Sequence, residues 1–260
     1  MSRARDLWTS VRVFYHAVSI IVAESLIFGL AVLPAFSLWQ FIVSLRTWPS
    51  EYLNVLVVAM SILPSYFIFC LGLMAITAAA TKVFGWRAPD GDVPIKGYPK
   101  PFIKWVKYNV ATHVVRIFAG EVLRASPVWR WFLRANGMKI ASNVHCNTAA
   151  IYDMNLITME EHVVVGGKAQ IVAHTVEGGV LKTAPVVFRR GATIGTHSIV
   201  TPGVEVGEGG RIGALSFVTK GTKIPPRTAY GGVPARLIKT YEEGQPQADV
   251  AAEEWLFREA

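Results

Sequence analysis

Residues 188–224 read FRRGATIGTHSIVTPGVEVGEGGRIGALSFVTKGTKI. Every sixth position from Phe188 is apolar: Ile194, Val200, Val206, Ile212, Val218 and Ile224 follow it, and all six are aliphatic and β-branched. The positions four further on, Ala192, Ser198, Val204, Gly210, Ser216 and Thr222, are small or β-branched. Gly195, Gly207 and Gly213 directly follow an apolar position. A helix does not repeat every six residues and a simple strand alternates every two, so this period specifies something else. One short strand plus one turn fits six residues, with the aliphatic side chain inward. Three such units make one triangular coil, so residues eighteen apart stack. Phe188 then lies under Val206 and Val206 under Ile224, with neighbouring strands about 4.8 Å apart. No unit can bury its apolar residue alone; the coils above and below do so.

The step continues backwards through Ile151, Ile157, Val163 and Ala169 to Thr175. Thirteen residues then separate Thr175 from Phe188, which breaks the register. Residues 175–187, TVEGGVLKTAPVV, are expected to loop out of the solenoid.

The N-terminal third differs in composition. The chain has 260 residues, 52% of them hydrophobic, and a net charge of +8; its mean hydropathy is positive. That is too apolar for an ordinary soluble domain. Residues 18–45 contain one formal charge, Glu24, and residues 52–81 contain none, so each run exceeds the ~20 residues that span a bilayer. Leu33-Pro34 and Leu63-Pro64 should kink the two helices. The short linker containing Pro49 makes them a hairpin. The first run is too long for a cleaved signal peptide and lacks a small-residue cleavage pattern. Arg3, Arg5 and Arg12 precede the hairpin and Lys82, Arg87, Lys96, Lys100, Lys104 and Lys107 follow it, whereas its loop offers only Arg46. The positive-inside rule then places both termini, and the solenoid, in the cytoplasm. Topology explains most of the basic excess, and no base-stacking or helix-turn-helix pattern points to nucleic acid. Cys70 and Cys146 do not make a disulfide framework, and a reducing compartment fits.

Between the two parts, residues 85–101 are rich in Gly and Pro and read as a connector. Residues 102–124 carry Phe102, Ile103, Val106, Val110, Val114, Ile117 and Phe118 at helical spacing. This amphipathic collar suits the membrane surface or the solenoid end. Ser126 as N-cap, Pro127 as first residue and Gly137 after the end define a short helix that would cap the first coil. The expected organisation is therefore a membrane hairpin over 1–84, connector and capping helices over 85–137, a solenoid over 138–240 and a tail over 241–260.

The repeat resembles the left-handed parallel β-helix of the hexapeptide-repeat acyltransferases. The segments SPVWRWFLRANGMKI, DMNLITMEEHVVVGGKAQIVAHTVEGGVLK and IGTHSIVTPGVEVGEGGRIGALSFVTKG are similar, in particular, to membrane-tethered hexapeptide modules of nonribosomal-peptide-synthetase-like proteins. The resemblance implies a mainly β fold, a homotrimer with active sites between subunits, and acetyl-CoA or another acyl-CoA as co-substrate, without a metal. It implies acyl transfer to a small-molecule or lipid-linked hydroxyl or amine. His174, in IVAHTVEGG, matches the family's general base, a task an imidazole suits because its pKa lies near working pH. Glu177 is the nearest carboxylate that could fix its tautomer. The closing pattern IGALSFVTKGTKIPPRTAYGGVPARLIK implies that Thr196 and Ala214 line the pantetheine arm and that Thr219 and Lys220 lie near the nucleotide. Arg236 and Lys239 would bind phosphate. Asp153 corresponds to an acceptor-binding carboxylate, and His197 would face the coenzyme or a neighbouring subunit. Two other readings remain open. A γ-carbonic-anhydrase-like metalloenzyme would use His174 and His197, but the next expected ligand position is Pro202. A non-catalytic membrane-anchored scaffold or export module is the other.

Overall fold

The computed structural model describes residues 2–242; the tail 243–260 and the side chains of Arg3 and Arg5 lie outside the described residues. Helices α1 (Ser2–Ser44) and α2 (Glu51–Val83) form the expected hairpin, running through Pro34 and Pro64 without interruption. Asn54 closes its turn by accepting from Trp48 N (3.3 Å) and donating to Trp48 O (2.9 Å). Gly72 lets the helices approach closely, since a β-carbon there would sit 3.4 Å from Ala31 Cα. Both helices are long and apolar enough to cross a membrane, by length and composition. Glu24 Oε2, on the first of them, is buried and has no hydrogen-bond partner among the described residues.

The connector leads through a two-residue strand, Val93–Pro94, into α3 (Lys100–Val115). The helix widens into a π turn over Arg116–Gly120 and ends in the short α4 (Glu121–Leu123). The collar packs on both neighbours. Phe118 meets Phe28 and Phe69 edge-on at 5.5 and 5.7 Å, and its carbonyl accepts from the Tyr66 hydroxyl. On the other side Tyr108 is buried, and its hydroxyl accepts from Met154 N at 3.1 Å. Helix α5 (Pro127–Ala135) starts where the sequence puts it, with Ser126 Oγ accepting from Trp129 N at 3.1 Å. Trp129, Phe132 and Leu133 are buried in one core with the first coil.

The solenoid has three parallel faces. Val206 pairs with Phe188 below and Ile224 above, as the repeat requires. Ile194 lies between Val165 and Ile212, and Val200 between Ile171 and Val218. Phe188 stacks on Met159, which stacks on Ile140. In the early coils the inward strand series is therefore Met159, Val165, Ile171, two residues later than the expected Ile157, Val163, Ala169. Both series are buried. Each unit points two residues inward, so a six-residue step alone leaves the phase open. Three residues after the inward position the backbone turns through the left-handed region: His162, Lys168, Gly191, His197, Gly203, Gly209, Leu215, Gly221 and Arg227 all have positive φ.

The excursion is a hairpin rather than an irregular loop. His174–Glu177 pairs antiparallel with Val180–Thr183 across Gly178-Gly179, and Val93–Pro94 of the connector adds a third strand. The chain rejoins the coil at Val186–Phe188.

Gly195 and Gly207 sit where successive coils touch. A β-carbon on Gly195 would lie 2.3 Å from Ala214 N, and one on Gly207 2.5 Å from Pro226 N. Because backbone cannot give way as a flexible side chain can, Gly195→Ala is expected to cost at least ~1–3 kcal/mol of overpacking. Its thermal unfolding midpoint should fall clearly below the parent's. Gly29→Ala, with nothing within 4 Å, should leave the midpoint unchanged or raised.

Candidate active site

Asp153 begins a tight 3₁₀ turn, Met154–Leu156, from a left-handed backbone conformation (φ 56°, ψ 49°). Its side chain is fully buried. A buried carboxylate must be hydrogen-bonded on its oxygens, and α3 supplies the donors. Trp105 Nε1 donates to Oδ1 at 2.9 Å, and Asn109 Nδ2 lies 3.5 Å from the same atom. Four residues apart, the two stand on one helix face. Asp153 Oδ2 receives His174 Nδ1 at 2.5 Å. Tyr108, beneath, is fully buried; desolvation first and the Asp153 charge second push its phenol up, so it stays neutral. Arg116 is also buried, donating to Thr112 Oγ1 at 3.1 Å and lying 4.4 Å over the Tyr152 ring. Desolvation lowers its pKa, and Tyr152, Tyr108 and Asp153 oppose that shift. A guanidinium keeps its charge through such a shift, so the pocket around Asp153 holds a buried cation.

His174 is clamped by rings as well as by the carboxylate. Trp105 meets it edge-on with centroids 5.0 Å apart, and Tyr152 does so at 6.4 Å. An ionised carboxylate only accepts, so against it Nδ1 is the donor of this bond. With 22% of its side chain exposed, His174 is held firmly and still reaches solvent. It borders a cleft of about 360 Å³, shared with Thr175, Glu177, Thr201, Phe217, Thr219 and Lys220.

The fold thus gathers His174, Glu177, Thr219 and Lys220. The tautomer-fixing bond expected of Glu177 is made by Asp153. Glu177 lies past the ring along the hairpin strand, where Lys220 Nζ donates to both its oxygens at 2.6 and 2.5 Å. Asp153, expected to touch the acceptor, faces no open space: it is buried with both oxygens engaged. Thr196, His197 and Ala214 are exposed at a different corner of the coil, between the Thr193–Ile194 and Ile199–Val200 edges and one coil further on. Arg236 and Lys239 are exposed on the last strand, Arg236–Thr240, which folds back antiparallel on Thr228–Gly231. Among the described residues no three His, Cys, Asp or Glu side chains converge as a metal site. Both cysteines are free and buried.

Sequence reading missed Trp105, Asn109 and Arg116. A signal existed: Trp105, Asn109, Thr112 and Arg116 follow one another at steps of three or four, so they form one polar stripe along the collar helix that requires polar partners once buried.

No family model matches the chain. The galactoside O-acetyltransferase of Escherichia coli K12 is 30% identical over 112 residues, covering 38% of this chain and 54% of that one. The likeness is to the hexapeptide-repeat acetyltransferases. A delta-poly-L-ornithine synthetase of Acinetobacter baumannii is 27% identical over 113 residues, 44% of this chain and 8% of the synthetase. Among solved structures, a hexapeptide-repeat-containing acetyltransferase of Vibrio cholerae, complexed with acetyl coenzyme A, has 25% identity and a TM-score of 0.34 over 39% of this chain and 55% of its own. The chain spans about half the length of the galactoside enzyme and a small part of the synthetase.

Lys220 holds the exposed Glu177 carboxyl below the usual carboxylate range, chiefly through its hydrogen bond, with Lys182 assisting. The folded pKa is depressed, so the pairing persists at neutral pH and is lost as pH falls through that value. In Lys220→Ala, the Glu177 carboxyl should titrate higher than in the parent, as read from its side-chain ¹³C shift.

Proposed function

We propose that the protein is a membrane-anchored acyltransferase that moves an acetyl or other acyl group from a coenzyme A thioester to a hydroxyl or amine. The observation that carries this reading is the Asp153–His174 pair: a buried carboxylate holds Nδ1 of an imidazole that borders an open cleft. His174 Nε2 takes the proton of the acceptor as its oxygen or nitrogen attacks the thioester carbonyl. The tetrahedral intermediate collapses, the C–S bond breaks, and the thiolate leaves as coenzyme A, taking back the proton from the imidazolium. Asp153 stabilises that imidazolium and keeps the ring in position. The acetyltransferase names of the relatives support the donor class.

Thr219 and Lys220 would meet the coenzyme at the His174 cleft, and Arg236 and Lys239 its phosphates. Thr196, His197 and Ala214 belong to another corner of the coil. A homotrimer would bring that corner of one subunit to the His174 cleft of the next and complete the site. In this reading α1 and α2 cross the bilayer, both termini and the solenoid are cytoplasmic, and the acceptor is a small molecule or lipid-linked group near the membrane.

His174→Asn should lower turnover roughly 100- to 10,000-fold, the usual share of general-base catalysis, in an assay following thiol release from acyl-CoA. Thermal stabilisation of that variant by coenzyme A should persist. Asp153→Asn should lose less, and Arg236→Ala should instead weaken the stabilisation. Near-normal turnover by His174→Asn would sink the mechanism. A second test is topological: tags at either terminus of the full chain should be protected from protease in intact cells and cut after lysis. A C-terminal tag cut in intact cells would put the site on the side without acyl-CoA.

A further inference from the structure

Two adjoining hollows lie where α2 ends. The first, of about 550 Å³, is bordered by four basic side chains, Lys82, Arg87, Lys104 and Arg134, and by no acidic one. Its polar floor is already satisfied: Thr81 donates to Asn136 Oδ1 at 3.0 Å, and Asn155 bonds the Ala88 amide and carbonyl at 3.1 and 3.0 Å. Among the described residues, no carboxylate forms an ion pair with any of the four cations. Four exposed like charges around one hollow, with no carboxylate paired to them among the described residues, repel one another, and an anion with several acceptor oxygens relieves this.

The second hollow, of about 520 Å³, continues from the first, sharing Lys82, Arg134 and Ala135. It runs along α2 over Ala75, Ala78 and Ala79, with Trp131 of α5 opposite. Small side chains on an apolar helix leave a groove, and the indole of Trp131 stands half-exposed at its mouth. A tryptophan at this level is the usual partner of the lipid headgroup region. The basic end lies at the last turn of α2 and the apolar end points back along the span.

We propose that the joined hollows bind one anionic phospholipid, its phosphate among Lys82, Arg87, Lys104 and Arg134 and one acyl chain in the alanine groove. A free phosphate ester would use only the first hollow, and a neutral lipid would not need its charge. The site rests on the reading of α2 as a membrane span but not on acyl transfer.

The test is native mass spectrometry of the full chain in detergent, titrated with dioleoyl phosphatidylglycerol, with phosphatidylcholine of the same chains, and with glycerol 3-phosphate. One phosphatidylglycerol should be retained at about tenfold lower concentration than phosphatidylcholine, and glycerol 3-phosphate should not displace it. The Lys82→Gln/Arg87→Gln variant should lose the tenfold preference. Ala79→Trp, which fills the groove and leaves the charges, should weaken retention of both lipids. Equal retention of the two lipids by the parent, or unchanged preference in the double variant, overturns the proposal. Full displacement by glycerol 3-phosphate overturns the lipid and leaves a phosphate site. Alkaline carbonate extraction separates the two readings: a chain released from membranes refutes the span itself, whereas a retained chain without lipid preference refutes this site alone.

Discussion

The buried carboxylate of Asp153 is the interaction on which the arrangement turns. Removing a carboxylate from water costs several kcal/mol even after relaxation, so it must be met by donors on every side. They come from parts of the chain distant in sequence: Trp105 and Asn109 from the collar helix and His174 from the start of the hairpin. The collar is therefore as much a part of the site as the coil is. Any shift of α3 moves the anion, and with it the imidazole.

The solenoid supplies the rigid frame for that meeting. Its inward side chains stack in files, Ile140–Met159–Phe188–Val206–Ile224 on one face. Parallel backbone ladders hold each file in register. The hairpin leaves this frame after Ile171 and returns at Val186, so it projects from a wall of hydrogen-bonded, stacked coils. In the proposed reading, function sits on the inserted hairpin and stability on the repeated coils.

Much of the solenoid could be read from residues 188–224, because apolar β-branched residues at a strict step of six leave no competing architecture. The phase of the earlier coils could not, since Ile157, Val163 and Ala169 are buried as completely as Met159, Val165 and Ile171. The better marker was the left-handed corner residue. In later coils it is often glycine, at 191, 203, 209 and 221, but His162 and Lys168 occupy it earlier and hide it. The motif singled out His174 as the candidate base. Its carboxylate partner was not legible: sequence proximity favoured Glu177, whereas a coil returns Asp153, twenty-one residues earlier, to the same corner. Nothing linear connects Trp105 to that corner, because the contact exists only once the collar docks.

The three-stranded sheet of connector and hairpin bears on how the molecule could be taken apart. Val93–Pro94 pairs with Val180 and Leu181, Ile95 N donates to Gly179 O at 2.9 Å, and the Thr183 hydroxyl donates towards the Pro89 and Gly91 carbonyls at 2.8 and 2.9 Å. A fragment starting at the first coil would strip this edge from the hairpin, uncover Leu181 and leave Asp153 without its indole. Any piece that keeps both this edge and the indole therefore begins ahead of the connector, near residue 85. What looks in the sequence like a spacer between two modules is the seam that makes the second one whole.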